Sequence, residues 1–76
     1  MNEYDEVELI VDQPQWGLSA GARGAVVDAV PGEDFVAVEF FRPNEENDVH
    51  LVSRHLLRVT DRYAPSTLVK TTAPQR

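Results

Sequence analysis

The 76-residue chain contains no cysteine. Disulfide staples, thiolate nucleophiles and cysteine-ligated zinc are excluded together, and the absence fits a reducing cytoplasm. No apolar run approaches the ~18 residues that a membrane-crossing helix needs. Met1 to Asp12 is acidic where an export signal is basic. The expectation is a soluble, cytoplasmic protein with no membrane partner. Positive charge is also scarce. Residues 1–60 hold four Arg against twelve Asp or Glu, 4 − 12 = −8, and residues 61–76 hold three basic residues against one Asp, 3 − 1 = +2. A folded part this acidic repels phosphate backbones and disfavours nucleic acid as a partner. It suits a protein with a basic surface, or it serves solubility alone.

Catalytic and ligand-holding patterns are missing as well. His50 and His55 form no His-x-x-x-His pair, and there is no cysteine to complete a zinc set. Ser19, Ser53 and Ser66 sit in no nucleophile elbow. The spacing of Gly17, Gly21 and Gly24 lacks the Gly-Lys-Ser/Thr of a phosphate loop. Glu45, Glu46 and Asp48 do not match the alternating oxygen ligands of a calcium loop. A domain this short also lacks the volume of a typical ligand cleft. No cofactor, no metal and no catalysis by the chain alone are expected.

What remains is strand grammar. Asp5–Val11 alternates, with Val7, Leu9 and Val11 on one side and Glu6 and Glu8 on the other. Asp12 to Ala22 is a loop holding Pro14, Trp16 and Leu18. The apolar pair either folds back to plug one end of a small barrel or stands out as a binding platform. A turn at Gly21 and Gly24, where φ can be positive, feeds a strand over residues 25–30. Taking Asp28 as the wet side places Ala25, Val27 and Ala29 inward and Val26 and Val30 outward. Pro31-Gly-Glu-Asp reads as a hairpin connection.

The strand that follows, residues 35–41, puts Val36, Val38 and Phe40 on one face and Phe35, Ala37, Glu39 and Phe41 on the other. Val49 to Ser53 is a fourth strand. Ser53 can cap a single helical turn, and a closing strand over residues 56–60 turns Leu57 and Val59 inward. The fold expected is all-β: a five-stranded SH3-like small barrel over residues 1–62, with one helical turn before the last strand. An extended tail over residues 63–76 is expected to be mobile or partner-docked.

Several short stretches strengthen this. Asp5-Glu-Val-Glu-Leu, Asp12-Gln-Pro, Trp16-Gly-Leu, Ala20-Gly, Gly24-Ala-Val-Val, Val38-Glu-Phe and Leu56-Leu-Arg-Val occur in an order that resembles a bacterial family of small proteins. That family is a domain of unknown function, number four-nine-two-six. The resemblance runs from Tyr4 to Thr60 and implies no functional residues. It implies company instead: members are encoded beside a second small protein in the manner of toxin and antidote. The wider SH3-like class supplies small subunits of enzymes and nucleic-acid-binding modules.

The function expected is a small acidic, non-catalytic protein-interaction module, either antitoxin- or immunity-like or an accessory subunit of a larger complex. The surface expected to bind comprises Gln15 and Trp16, the acidic Glu8, Asp28 and Glu39, and the aromatic Phe35 and Phe41. Exposed strand edges also leave room for a homodimer. The alternative is a nucleic-acid module using Arg54, Arg58 and Arg62.

Overall fold

The structure is a computed structural model that describes residues 1–43 and 45–62. The tail expected over 63–76, with Leu68 and Val69, lies outside the described residues. Five strands form one antiparallel sheet: β1 (Glu6–Leu9), β2 (Arg23–Ala29), β3 (Phe35–Phe40), β4 (Asp48–Ser53) and β5 (Leu57–Asp61). Their order across the sheet is β4-β3-β2-β1-β5. The remaining elements are two single 3₁₀ turns, Pro14–Trp16 and Arg54–Leu56. The all-β expectation therefore holds, as a five-stranded antiparallel sheet with no α-helix among the described residues.

The sheet has a dry face and a wet face because its strands alternate. Val7 and Leu9, Val26, the β3 trio Val36, Val38 and Phe40, Val52 and Leu57 all point to one side and are buried there. Leu18 joins them from the first loop. Burying each such side chain contributes about 1.5–3 kcal/mol, so this cluster is what holds so short a chain folded. The expected phase of β3 is correct, with Phe35 and Phe41 left exposed. The turn before β5 also forms as expected. Ser53 Oγ accepts the His55 backbone N–H at 3.2 Å and caps it.

Three expectations are corrected. Val26 is fully buried and Ala25 is not, the reverse of the phase assigned from Asp28. The cause is a bulge in β2: Val26 pairs with Val38, yet Asp28 pairs with Ala37, so Val27 is the extra residue that resets the alternation. Val11 does not continue the inward row of Val7 and Leu9. β1 ends at Leu9, and Val11 is exposed. Gly24 is not a turn residue. Positive φ is found at Gly17, Gly21 and Gly32, whereas Gly24 lies inside β2 opposite Phe40, with the β3 backbone too close to admit a Cβ.

Candidate interaction surface

The wet face can be laid out from the pairing register, because residues directly opposite in antiparallel strands share a face. One corner carries Arg58, Glu8 and Arg23 in a row across β5, β1 and β2. Phe41 extends that row past β3, its backbone N–H donating to the Arg23 carbonyl at 3.0 Å. The next row runs Glu6, Ala25, Glu39 and Val49. Asp28, Ala37 and Leu51 form the third, and Phe35 with Ser53 the last. Charge thus gives way to apolar surface from the β5 corner toward the β2–β3 hairpin.

At that apolar end lies an open hollow of about 380 Å³, lined by Asp28, Val30, Glu33, Phe35, Ala37 and Leu51. Leu51 is 69% exposed, Phe35 55% and Val30 51%, values far above those of the core. An exposed apolar patch of this kind is the sort of surface on which proteins dock in general. The carboxylates at its rim are free to meet a cation: neither Asp28 nor Glu33 forms an ion pair among the described residues. Glu39, farther along β3, accepts a hydrogen bond from Asn47 at 3.3 Å.

The hairpin bordering the hollow is held in place by the 3₁₀ turn before β5. Arg54 Nε donates to the Glu33 carbonyl at 2.6 Å and Nη2 to the Val30 carbonyl at 3.2 Å. Its backbone N–H donates to the Asp34 carbonyl at 2.9 Å, and Ser53 Oγ donates to the Asp34 carboxylate at 3.0 Å. The rim is therefore pre-formed, an arrangement that in general lowers the entropy cost of docking.

Of the residues expected to bind, Asp28, Phe35 and Glu39 share this part of the wet face, and Phe41 stands near the charged corner. Glu8 lies on the same face, but its carboxylate is occupied. Arg58 Nη2 sits 2.5 Å from one oxygen and Arg23 Nε 3.8 Å from the other. The hydrogen bond from Arg58 holds the Glu8 carboxyl below its ordinary value, with the charge of Arg58 and of Arg23 adding to the effect.

Gln15 and Trp16 lie elsewhere, on the turn Pro14–Trp16, which Gly17 closes in the left-handed conformation. Trp16 is half-buried against the core cluster and stacks on His50, with ring centroids 4.3 Å apart and planes 11° apart. Arg42 fixes the turn by donating from Nη2 to the Trp16 carbonyl at 2.6 Å, while the same nitrogen contacts Asp48 at 2.8 Å. Val49 and Leu51 went unassigned in the sequence. Their alternation with His50 and Val52 was visible, but the phase comes from the pairing of Val52 with Val36.

The arginines of the nucleic-acid alternative are each engaged within the fold. Arg54 straps the hairpin, Arg58 holds Glu8, and Arg62 Nη1 lies 3.9 Å from the buried carboxylate of Asp5. Among the described residues no three His, Asp or Glu side chains converge as metal ligands. No helix among the described residues is long and apolar enough to cross a membrane.

Comparison with family models gives one match, the domain of unknown function DUF4926, over residues 3–47, more than half of the chain. The chain belongs to the DUF4926 family. No curated protein and no solved structure matches it. The DUF4926 segment spans β1 to β3 and the loops between them, so it contains Asp28, Glu33, Phe35 and Glu39 but ends short of β4. Family membership brings no activity with it, because the family is described by its unknown function.

Proposed function

We propose that this DUF4926 protein is a small acidic, non-catalytic interaction module on an SH3-like barrel, of the antidote or accessory-subunit kind. It takes a protein partner with a basic surface. The barrel reading is supported by the sheet order β4-β3-β2-β1-β5, by the single 3₁₀ turn before the last strand, and by the bulge that bends β2. The observation that carries the function is the hollow, where exposed Phe35 and Leu51 stand beside the carboxylates of Asp28 and Glu33, which form no ion pair among the described residues. The apolar side chains supply desolvation area, and the carboxylates supply charge complementarity that speeds encounter with a basic partner. Binding falls on the hollow and not on Trp16, whose ring is already used inside the fold.

The test is recovery of a partner from native lysate on the immobilised full chain. A basic protein retained in equal amount, and released as salt is raised, is the expected outcome. Phe35→Ala should abolish retention without lowering the midpoint of thermal unfolding, since Phe35 contributes little to the core. Equal retention by the wild-type and Phe35→Ala chains would remove the hollow from the reading.

A further inference from the structure

The two edges of the sheet differ in how they are guarded. β5 carries Arg58 and Asp61 and is pushed out of register against β1 between Glu6 and Val7. Charges and irregularities of this kind discourage a further strand from pairing. β4 has neither lysine nor proline, and its six residues pair with β3 in unbroken register from Phe40–Asp48 to Phe35–Ser53. No described strand pairs with its other side. Among the described residues, the N–H and C=O groups that alternate residues of a strand direct away from their partner are therefore available along a regular edge.

The side chains of β4 fit a second copy of the same strand. If two β4 strands run antiparallel about a two-fold axis at His50, Val49 of each lies opposite Leu51 of the other on the wet face. Val49 is 57% exposed and Leu51 69% exposed, so both gain cover from the pairing. Asp48, the strand's charged residue, falls opposite Val52 of the second copy and is already neutralised by Arg42 at 2.8 Å. No two carboxylates lie directly opposite within the paired strands.

The carboxylates of the inner strands stand farther off. At about 4.8 Å per strand, the Glu39 side chains of the two copies are three strand spacings apart, roughly 14 Å, and the Asp28 side chains five, roughly 24 Å. Both distances exceed the Debye length of about 8 Å at physiological salt, so these carboxylates are largely screened from their counterparts. From this edge we infer that the protein forms a two-fold dimer by β4–β4 pairing, giving a continuous ten-stranded sheet. The two apolar hollows then lie on the same side of that sheet. The inference stands apart from the partner reading, because it needs no second protein.

Sedimentation equilibrium of the full chain, from low micromolar to near-millimolar concentration at physiological salt, tests it. The mass is expected to rise with concentration from 8.5 kDa toward twice that value. Val49→Lys and Leu51→Lys should each remain at the monomer mass with unchanged thermal midpoints, as both side chains point to water in the single chain. Ile10→Lys, an exposed apolar site off the edge strands, should dimerise like the wild type. The register has its own readout, because the chain has no native cysteine. An equimolar mixture of Val49→Cys and Leu51→Cys chains should cross-link several-fold faster than Val49→Cys alone. A wild type that stays monomeric throughout, or a Leu51→Lys chain that dimerises as before, would overturn the inference. Equal cross-linking in the two cysteine experiments would overturn the register.

Discussion

Replacing Phe40 with alanine is expected to leave most of the chain unfolded at room temperature. Phe40 is completely buried on the dry face, its ring centroid 6.4 Å from that of Trp16 and 6.2 Å from that of His50. Removing a buried phenyl ring costs about 3–5 kcal/mol, the lost transfer energy plus the cavity left behind. At roughly 0.05–0.15 kcal/mol per residue the chain has about 4–11 kcal/mol of stability, and a domain this short, with its small core, belongs at the low end, where the loss rivals the whole. Urea unfolding followed by the fluorescence of Trp16, the single tryptophan, measures it directly. The wild type should give one cooperative transition, and Phe40→Ala little or none. Phe40→Leu should restore a transition at a lower midpoint, because it refills most of the volume. A Phe40→Ala midpoint equal to wild type would mean that the core lies elsewhere.

The second large effect is expected at Gly24. A Cβ there would stand 2.5 Å from the Glu39 carbonyl oxygen, 2.9 Å from Val38 Cγ1 and 3.0 Å from Phe40 Cα. Two of these three atoms are backbone in β3, so relief requires moving a central strand. Overpacking of this kind costs typically about 1–3 kcal/mol, and at about 4–8 °C per kcal/mol the melting temperature of Gly24→Ala should fall by roughly 4–24 °C.

Gly32→Ala is the informative contrast. Gly32 has φ +88° and nothing within 4 Å, so its penalty comes from the backbone angle and not from space. Its effect should be confined to the hairpin, with the β1–β2 amide protection unchanged. Hydrogen exchange of the two variants separates the mechanisms. If Gly24→Ala melts with the wild type, the close approach of β2 to β3 is wrong.

Gly24 also shows where sequence reasoning stops. A glycine beside Gly21, in a loop-to-strand passage, reads naturally as a turn residue with positive φ. What fixes it instead is the distance to another strand, a tertiary quantity that no local pattern carries. The β2 phase failed for a related reason. Period-two alternation assumes an unbroken strand, and one extra residue at Val27 reverses every assignment on the far side of it. β3 and the Ser53-capped turn were legible because their determinants are local: strict alternation in one case, a side-chain cap in the other. The interaction surface was legible by halves. Phe35 and Glu39 follow from strand parity, and Asp28 from its charge. The engagement of Glu8 by Arg58 depends on pairing residues fifty positions apart, and the stacking of Trp16 on His50 on a loop folding over β4.

The central claim is that partner affinity resides on the outer face of β2, β3 and β4, and that Trp16 serves the fold. Titration calorimetry of the recovered partner against wild-type, Phe35→Ala and Trp16→Ala chains decides between the two roles. Truncating a central aromatic of an interface typically costs 2 kcal/mol or more, so Phe35→Ala should bind about tenfold or more weakly while melting like the wild type. Trp16→Ala should melt at a lower temperature and, while folded, bind with unchanged affinity. The reverse pattern, with Trp16→Ala folded but unable to bind and Phe35→Ala binding normally, would contradict the account.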